Sequence, residues 1–194
     1  IHFSLLPKYR GVYTSSLPIL NHETETGVTL HQIDSGIDSG RIISQKKIDI
    51  NDYDCSLDLY IKYSTKGLDL FVENINDILN GNYSSIEQDA KIYSYYSREM
   101  IDFSQNQINI HQNATDILKF IKAFAFRPFQ LPTYNKHRIV RGEVLNDSKA
   151  SSNNPFNHSI DFFDVSVLDG VIRLYYDKFD VACVLCKDNN LISN

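Results

Sequence analysis

The chain has 194 residues, of which 42% are hydrophobic and 22% are charged, and its net charge is −5. This length and composition suit a globular protein of one or two domains with a core of its own. The 19 lysines and arginines are scattered and outnumbered by 24 acids, which argues against binding to a nucleic-acid backbone. No apolar run approaches the ~20 residues that span a bilayer. Three cysteines, an odd number, argue against a secreted disulfide framework, so we expect a cytosolic protein.

The first fifty residues alternate turn residues with short β patterns. The opening segment, IHFSLLPKYRG, has neither the basic start nor the long apolar stretch of a signal peptide. A strand is predicted near 28–33 and a second one in RIISQKKIDI, residues 41–50. Between them lies DSGIDSG, and such Asp and Gly clusters form tight turns with free backbone amides.

A long amphipathic helix is predicted over residues 54–79. Its apolar residues recur at helical spacing, and Asn80-Gly81 provides a C-terminal stop. Gly67 is expected to weaken its middle. We interpret this helix as a scaffold that covers a sheet and assign no chemistry to it.

The remainder of the chain combines one helix with β patterns. NATDILKFIKAF predicts a helix capped by Asn113, and the following FRPFQLPTY is extended because of its two prolines. FFDVSVL and VIRLYYD flank Asp169-Gly170, which predicts a two-residue β-hairpin turn. KASSNNPFNHS before the hairpin is predicted to be a linker or exposed loop.

A single C-x-x-C, formed by Cys183 and Cys186, lies near the C-terminal end. A zinc half-site and a redox pair are both compatible with this spacing, but no second pair completes a four-ligand metal site. The surrounding FDVACVLC reads as a buried strand whose thiols are core residues. We therefore predict no metal site.

His2 is the most reactive side chain of the apolar opening, and its ordinary pKa lies near neutrality. The acids of DSGIDSG are its candidate partners, because turns between strands present reactive side chains at a sheet edge. The residue types by themselves leave two interpretations open, since an isolated histidine is often structural and an aspartate in a Gly-rich turn often only forms the turn.

Two segments together, HFSLLPKYRG and NHETETGVTLHQIDSGIDSGRII, closely resemble the signature of the folate-dependent formyltransferases. In that family the loop reads Asn-x-His-x-Ser-Leu-Leu-Pro, and a later segment reads Thr-Gly-Val-Thr-x-His followed by Asp-x-Gly. The family's catalytic trio is Asn, His and Asp. His2 matches the histidine and Asp38 the aspartate, whereas the asparagine falls immediately before Ile1. The resemblance also implies a preceding Rossmann-like half that this chain does not contain.

The resemblance implies a mechanism in which an amine attacks the formyl carbon of N10-formyltetrahydrofolate. Protonated His2 would stabilise the oxyanion, while Asp38 would raise the pKa of His2 and carry away the amine proton. Thr29 and His31 match family residues that orient this aspartate and its water. The turn between the strands would contact the pterin through its backbone, which assigns cofactor binding to Asp34, Ser35, Gly36 and Ile37.

Among possible acceptors, the sequence most resembles bacterial sugar N-formyltransferases, which act on nucleotide-linked amino sugars such as dTDP-4-amino-4,6-dideoxyglucose or its 3-amino isomer. The product would enter surface polysaccharide such as the O-antigen of lipopolysaccharide. Methionyl-tRNA is disfavoured by the negative net charge, and the segments expected for a purine-precursor acceptor are not recognised. Both remain alternatives.

A nucleotide-sugar acceptor requires cations for its diphosphate and aromatic rings for its sugar and base. Four residues of the opening are the candidates for the sugar side: Lys8, Tyr9, Arg10 and Tyr13. Three later residues are the candidates for the nucleotide: Arg127, Phe129 and Tyr134. For these residues a structural role is a comparable alternative; Arg10, for example, would then only hold the loop and Phe129 only fill the core.

The predicted fold class is α/β. Residues 1–98 are expected to form the second half of a Rossmann-like formyltransferase core, and 99–194 a small β-rich domain with a helix and a β-hairpin. The hairpin at 162–176 is a possible homodimer contact, since apolar strands with unpaired edges associate readily. The alternative from another class is a truncated, non-catalytic remnant that only binds nucleotide sugar or dimerises.

Overall fold

The computed structural model describes residues 1–127, 129–145, 159 and 161–178. The chain divides into two compact units, Ile1–Asp102 and a second one that begins at Phe103, close to the boundary expected from the sequence. The units are described one at a time.

The first unit is built on an antiparallel pair of strands. Strand β2 spans Glu25–His31 and β3 spans Ile42–Asp49, and their pairing runs from Glu25 opposite Asp49 to His31 opposite Ile42. Strand β2 begins before the predicted residue 28. The early part escaped the prediction because residues 26–30 are all buried, so no alternation of polar and apolar residues marks them.

Helix α2, Ser56–Leu79, packs on both of these strands through Leu59, Tyr63 and Leu70. At its start the Asp58 carboxylate accepts a hydrogen bond from the Cys55 N–H, and at its end Gly81 has a φ of 69°. The predicted helix and its stop are therefore confirmed.

Helix α2 runs without a break through the buried Gly67. A Cβ at this position would lie 3.4 Å from the Ile1 side chain and 3.5 Å from the Phe3 ring, which are ordinary van der Waals distances. The packing around residue 67 therefore does not itself require glycine, and the weakening of the helix at this residue stays a prediction.

Residues 1–13, here called the opening loop, are fixed to the unit at two points. His2 and Thr29 exchange backbone hydrogen bonds of 2.8 and 2.9 Å. Strand β1, Arg10–Gly11, then pairs in parallel with β4, Tyr95–Tyr96. A short helix α1 at Leu17–Leu20 and a 3₁₀ helix at Arg98–Met100 complete this unit.

The second unit packs one helix on a four-stranded antiparallel sheet. The element bounds are α3 Ala114–Phe124, β5 Thr133–Tyr134, β6 His137–Leu145, β7 Phe162–Val167 and β8 Gly170–Tyr176. The sheet order is β5-β6-β8-β7, and its core includes Ile117, Ile121, Ile139, Ile172 and Leu174.

The turn of the β7–β8 hairpin lies one residue earlier than predicted. Val167 pairs with Gly170, so the two loop residues are Leu168 and Asp169 rather than Asp169 and Gly170. The Asp169 carboxylate accepts a 2.7 Å hydrogen bond from the Ala114 N–H at the start of α3. Asn113 occupies the predicted N-cap position but makes no side-chain cap bond, and the Asp169 carboxylate satisfies the N–H of the first helical residue.

Several sequence predictions fall outside the described residues, namely the Cys183–Cys186 strand and nearly all of the linker at 149–159. Within the described residues, no helix is long and apolar enough to cross a membrane.

Candidate active site

His2 is nearly buried, with 8% of its surface exposed, and its orientation follows from one hydrogen bond. Its Nε2 lies 2.7 Å from the carbonyl oxygen of Tyr9. A carbonyl only accepts hydrogen bonds, so Nε2 carries a hydrogen and donates it. The other ring nitrogen, Nδ1, therefore faces Asp38, whose Oδ2 lies 3.4 Å away.

Burial lowers the pKa of His2 below its ordinary value of 6.5. The Tyr9 carbonyl and the Asp38 carboxylate both raise the pKa, and His31 lowers it, but burial is the largest contribution. Asp38 thus raises the pKa in the expected direction, and burial acts against it. Burial therefore favours the neutral form of the His2 imidazole, whose Nδ1 faces Asp38.

Asp38 lies between the two histidines in a backbone conformation that aspartate adopts rarely, with a φ of 53°. Its Oδ2 accepts a 2.8 Å hydrogen bond from the Gly11 N–H. Its Oδ1 lies 3.8 Å from His31 Nε2. The Nδ1 of His31 is 2.8 Å from the Gln32 carbonyl, which assigns the hydrogen to Nδ1 and leaves Nε2 toward the carboxylate. The structure thus brings His2, His31 and Asp38 together.

Thr29 holds the opening loop and not Asp38. Its side chain is fully buried, and its hydroxyl donates a 2.6 Å hydrogen bond to the Ser4 carbonyl. The same oxygen accepts hydrogen bonds from the Leu6 N–H and the Gln45 side chain, at 3.1 and 2.8 Å. The expected role of Thr29 in orienting the aspartate is therefore corrected: the hydroxyl shapes the loop on which His2 lies.

The predicted cofactor residues form an exposed turn beside Asp38. Asp34 Oδ1 accepts hydrogen bonds from the Gly36 N–H and the Ser39 hydroxyl, at 3.1 and 2.8 Å, and the Ser39 bond is the main cause of a lowered Asp34 pKa. The Ile37 side chain is 58% exposed, and Ser35 is also exposed. The turn therefore offers backbone and an apolar side chain next to the Asp38 carboxylate.

Of the four opening-loop residues predicted to contact the sugar, only Lys8 is freely exposed. Tyr9 is buried, and its hydroxyl donates a 2.9 Å hydrogen bond to Glu23. Arg10 donates to Gln88 Oε1 from Nε and a terminal nitrogen, at 3.1 and 2.7 Å. The Tyr13 hydroxyl bonds the Arg98 carbonyl at 3.1 Å.

Tyr9 and Arg10 thus make structural contacts, and a structural role was the alternative left open for them from the sequence. The Lys8 ammonium, by contrast, has no carboxylate partner among the described residues of the chain.

The three residues predicted to contact the nucleotide belong to the second unit. Arg127 forms an ion pair with the buried Asp177, and the Tyr134 ring packs edge-on against Phe163 at 5.7 Å. Phe129 is 83% exposed and does not fill the core. Arg127 and Tyr134 therefore stabilise their own unit, and only Phe129 presents an open ring.

Sequence reasoning missed Gln88 and Gly11, which both bond Asp38. Gln88 lies in the polar stretch SSIEQDAK, where no periodic pattern or motif singles it out. Gly11 follows Arg10 in the recognised loop, and its φ of 93° was not evident from the sequence alone. Within the described residues, no group of histidines, cysteines or acids is arranged to hold a metal ion.

Comparison with known sequences and structures shows that proteins similar to this chain are formyltransferases. Residues 1–75 match the family model described as formyl transferase. The N-formyltransferase of Helicobacter canadensis, crystallised with folinic acid and dTDP-3-aminofucose, is 41% identical, with a TM-score of 0.77 over 90% of this chain and 64% of that one.

Two further proteins extend the comparison. WlaRD, a sugar 3N-formyltransferase studied with dTDP and 5-N-formyl-THF, is 39% identical, with a TM-score of 0.77 over 90% of this chain and 63% of that one. The methionyl-tRNA formyltransferase of Clostridium novyi (strain NT) is 30% identical over 89% of this chain and 56% of that protein. The chain is thus similar to formyltransferases in sequence and in structure, and it spans between about half and two thirds of the length of these relatives.

Proposed function

We propose that the chain provides the catalytic part of an enzyme that transfers a formyl group from N10-formyltetrahydrofolate to the amine of a dTDP-linked amino-deoxy sugar. The observation that carries this proposal is the Asp38 carboxylate held between His2 Nδ1 at 3.4 Å and His31 Nε2 at 3.8 Å. Such an arrangement can accept a proton beside an exposed turn, and formylation of an amine requires that the amine lose a proton.

His2 is the group that takes the proton from the attacking amine. The Tyr9 carbonyl occupies its Nε2–H, so Nδ1 is the nitrogen that accepts. The lowered pKa of His2 keeps Nδ1 unprotonated at neutral pH. Once Nδ1 is protonated, the Asp38 carboxylate stabilises the imidazolium by its charge. As the new bond from the acceptor nitrogen to the formyl carbon persists and the bond from that carbon to N10 breaks, a proton is delivered to N10, so that tetrahydrofolate leaves as a neutral amine.

The folate co-substrate supplies the electrophilic formyl carbon. The exposed turn of Asp34, Ser35, Gly36 and Ile37 suits a flat heterocycle, because its backbone is accessible and the Ile37 side chain offers an apolar contact. At Gly36 a Cβ would lie 2.1 Å from the Ser39 hydroxyl, so a side chain there would displace this hydroxyl from its hydrogen bond with Asp34. We propose that these four residues contact the pterin.

The comparison proteins favour a 3-amino sugar as the acceptor. The two solved structures near 40% identity concern dTDP-3-aminofucose and sugar 3N-formyl transfer. Methionyl-tRNA is the second candidate, supported by the 30% identity to the Clostridium novyi enzyme. The net charge of −5 argues against a tRNA acceptor. The Lys8 ammonium is the contact that we propose for the sugar diphosphate.

The test is a formyl-transfer assay on the complete polypeptide with N10-formyltetrahydrofolate. The acceptor panel holds dTDP-3-amino and dTDP-4-amino sugars, the corresponding UDP and GDP sugars, and methionyl-tRNA. We expect turnover with the dTDP-3-amino sugar and about 10²–10⁴-fold less in His2→Asn and Asp38→Asn. The exposed His111→Asn and Asp77→Asn variants are the matched controls. Turnover of methionyl-tRNA alone would refute the sugar acceptor, and full activity in both site variants would refute the site.

We further propose that the product serves surface polysaccharide synthesis and that the enzyme is a homodimer through its β7–β8 hairpin. The supporting feature is that β7 is an outer strand of the four-stranded sheet among the described strands. Light scattering coupled to size-exclusion chromatography would give twice the monomer mass for the native protein. A Val165→Pro variant, which places a proline in β7, would shift that mass toward the monomer if the edge is the interface.

A further inference from the structure

The position of the Asp38 carboxylate between the two histidines depends on an unfavourable backbone conformation at this residue. A φ of 53° costs an aspartate free energy relative to the extended and right-handed regions, by about 1 kcal/mol. The turn around it consists of exposed residues, and Asp34 closes the preceding part without touching Asp38. A contact from elsewhere in the unit must therefore stabilise residue 38 in this conformation.

The side chain of Gln88 makes that contact. Its Nε2 donates to the Asp38 carbonyl at 2.8 Å and to the Gly40 carbonyl at 2.7 Å. The two amide hydrogens thus hold the backbone on both sides of Ser39, across 50 residues of sequence from Asp38. Gln88 is half-buried, which protects these hydrogen bonds from competing water.

Arg10 determines which way the Gln88 amide points. Its guanidinium donates twice to Gln88 Oε1, at 3.1 and 2.7 Å, and lies 4.9 Å from the centre of the Tyr93 ring. Because arginine only donates, the amide oxygen must face Arg10 and the NH₂ group must face the two carbonyls. The next residue, Gly11, donates its N–H directly to Asp38 Oδ2 at 2.8 Å.

We propose that Gln88 is a positioning residue for the catalytic carboxylate and that Arg10 acts through it rather than on the sugar. Gln88 holds the backbone of Asp38, and Gly11 holds one carboxylate oxygen, so that the carboxylate faces His2 and His31 together. The proposal rests on the proposed role of Asp38 in formyl transfer. It also replaces the sequence-based assignment of Arg10 as a sugar contact.

The first experiment compares Gln88→Met and Gln88→Glu in the complete polypeptide. Both variants lose the two N–H donors, while glutamate keeps the acceptor for Arg10. We expect kcat to fall about 10- to 100-fold in both, because a displacement of about 1 Å costs that much, while KM for sugar and folate stays within about threefold. The exposed Gln105→Met is the matched control. Unchanged kcat in both variants, or a KM increase without loss of kcat, would overturn the proposal.

The second experiment separates a failure of this proposal from a failure of the proposed function. NMR follows the titration of the His2 imidazole in the native protein and in Gln88→Met, with no substrate present. The ionisable groups that face this ring are Asp38 and His31. We expect the His2 titration midpoint to move to lower pH in the variant, because the carboxylate that raises it moves away. An unchanged midpoint would overturn the proposal even if the native protein formylated none of the acceptors offered.

A double-mutant cycle tests the part assigned to Arg10. If Arg10 acts through Gln88, the double variant Arg10→Met, Gln88→Met has the same kcat and KM as Gln88→Met alone. An additional rise in KM for the amino sugar in the double variant would show that Arg10 contacts the substrate, and would refute its positioning role.

Discussion

Replacing Thr29 by valine tests whether this residue shapes the opening loop or serves the chemistry. Valine has almost the same volume, so the change removes a hydroxyl without leaving a cavity. Two buried backbone groups lose their partner: the Ser4 carbonyl, bonded at 2.6 Å, and the Leu6 N–H, at 3.1 Å. The Gln45 side chain, the third partner, is exposed and can turn to water.

The expected cost follows from those two groups. An unsatisfied buried backbone group costs about 1–3 kcal/mol, so the loss of partner for two such groups in Thr29→Val should lower the free energy of unfolding by about 2–6 kcal/mol. With a typical dependence on urea, the midpoint falls by about 1–2 M. Urea denaturation of the complete polypeptide, followed by circular dichroism and tyrosine fluorescence, measures this change. Thr29→Ser keeps the hydroxyl and should recover most of the loss.

The matched control is Thr65→Val on the exposed face of α2, which should stay within about 0.5 kcal/mol of the native protein. The formyl-transfer assay, run where the variants are folded, completes the test. If Thr29→Val kept its full stability but lost kcat, the hydroxyl would be orienting Asp38 or its water, and the structural role derived from the loop contacts would be refuted.

Three further outcomes are expected. Because burial lowers the pKa of His2, the unfolded state binds a proton more readily than the folded state, so the stability should fall as the pH drops below about 6.5. His2→Gln should flatten this pH dependence in thermal melts, and an unaltered slope would contradict a buried, neutral imidazole. Asp169→Ala should lower the free energy of unfolding by about 0.5–2 kcal/mol in urea denaturation, because the Ala114 N–H loses its 2.7 Å acceptor. A loss of stability in Asn113→Ala instead would show that Asn113 caps the helix. Ile172→Ala in the fully buried core should cost about 2–5 kcal/mol in the same measurement, and a loss under 1 kcal/mol would mean that this core is not closely packed.

The local patterns of the sequence were sufficient for the main elements. Helix α2 was predictable because its apolar spacing extends over many turns and ends at Asn80-Gly81, and both are properties of neighbouring residues. The β2–β3 pair was predictable for the same reason, apart from the early residues of β2, whose burial on both sides removes the alternation.

The candidate site was likewise predictable from the sequence only in part. The identities of His2 and Asp38 followed from a long ordered motif, and the structure brings these side chains within 3.4 Å. The charge state of His2 did not follow, because burial depends on every element packed around the ring and outweighs the one carboxylate that the motif names.

The roles of the supporting residues were decided only by the tertiary structure. Thr29, Arg10 and Gln88 make their hydrogen bonds to residues 16 to 78 positions away in the chain. No local spacing encodes which backbone carbonyl such a side chain meets, and the same holds for Asp169, which caps a helix that begins 55 residues earlier. The sequence by itself determined which groups are the candidates for the chemistry and where the main helices and strands form. The tertiary structure decided how Asp38 is held against both histidines, because that geometry depends on contacts between segments that only folding brings together.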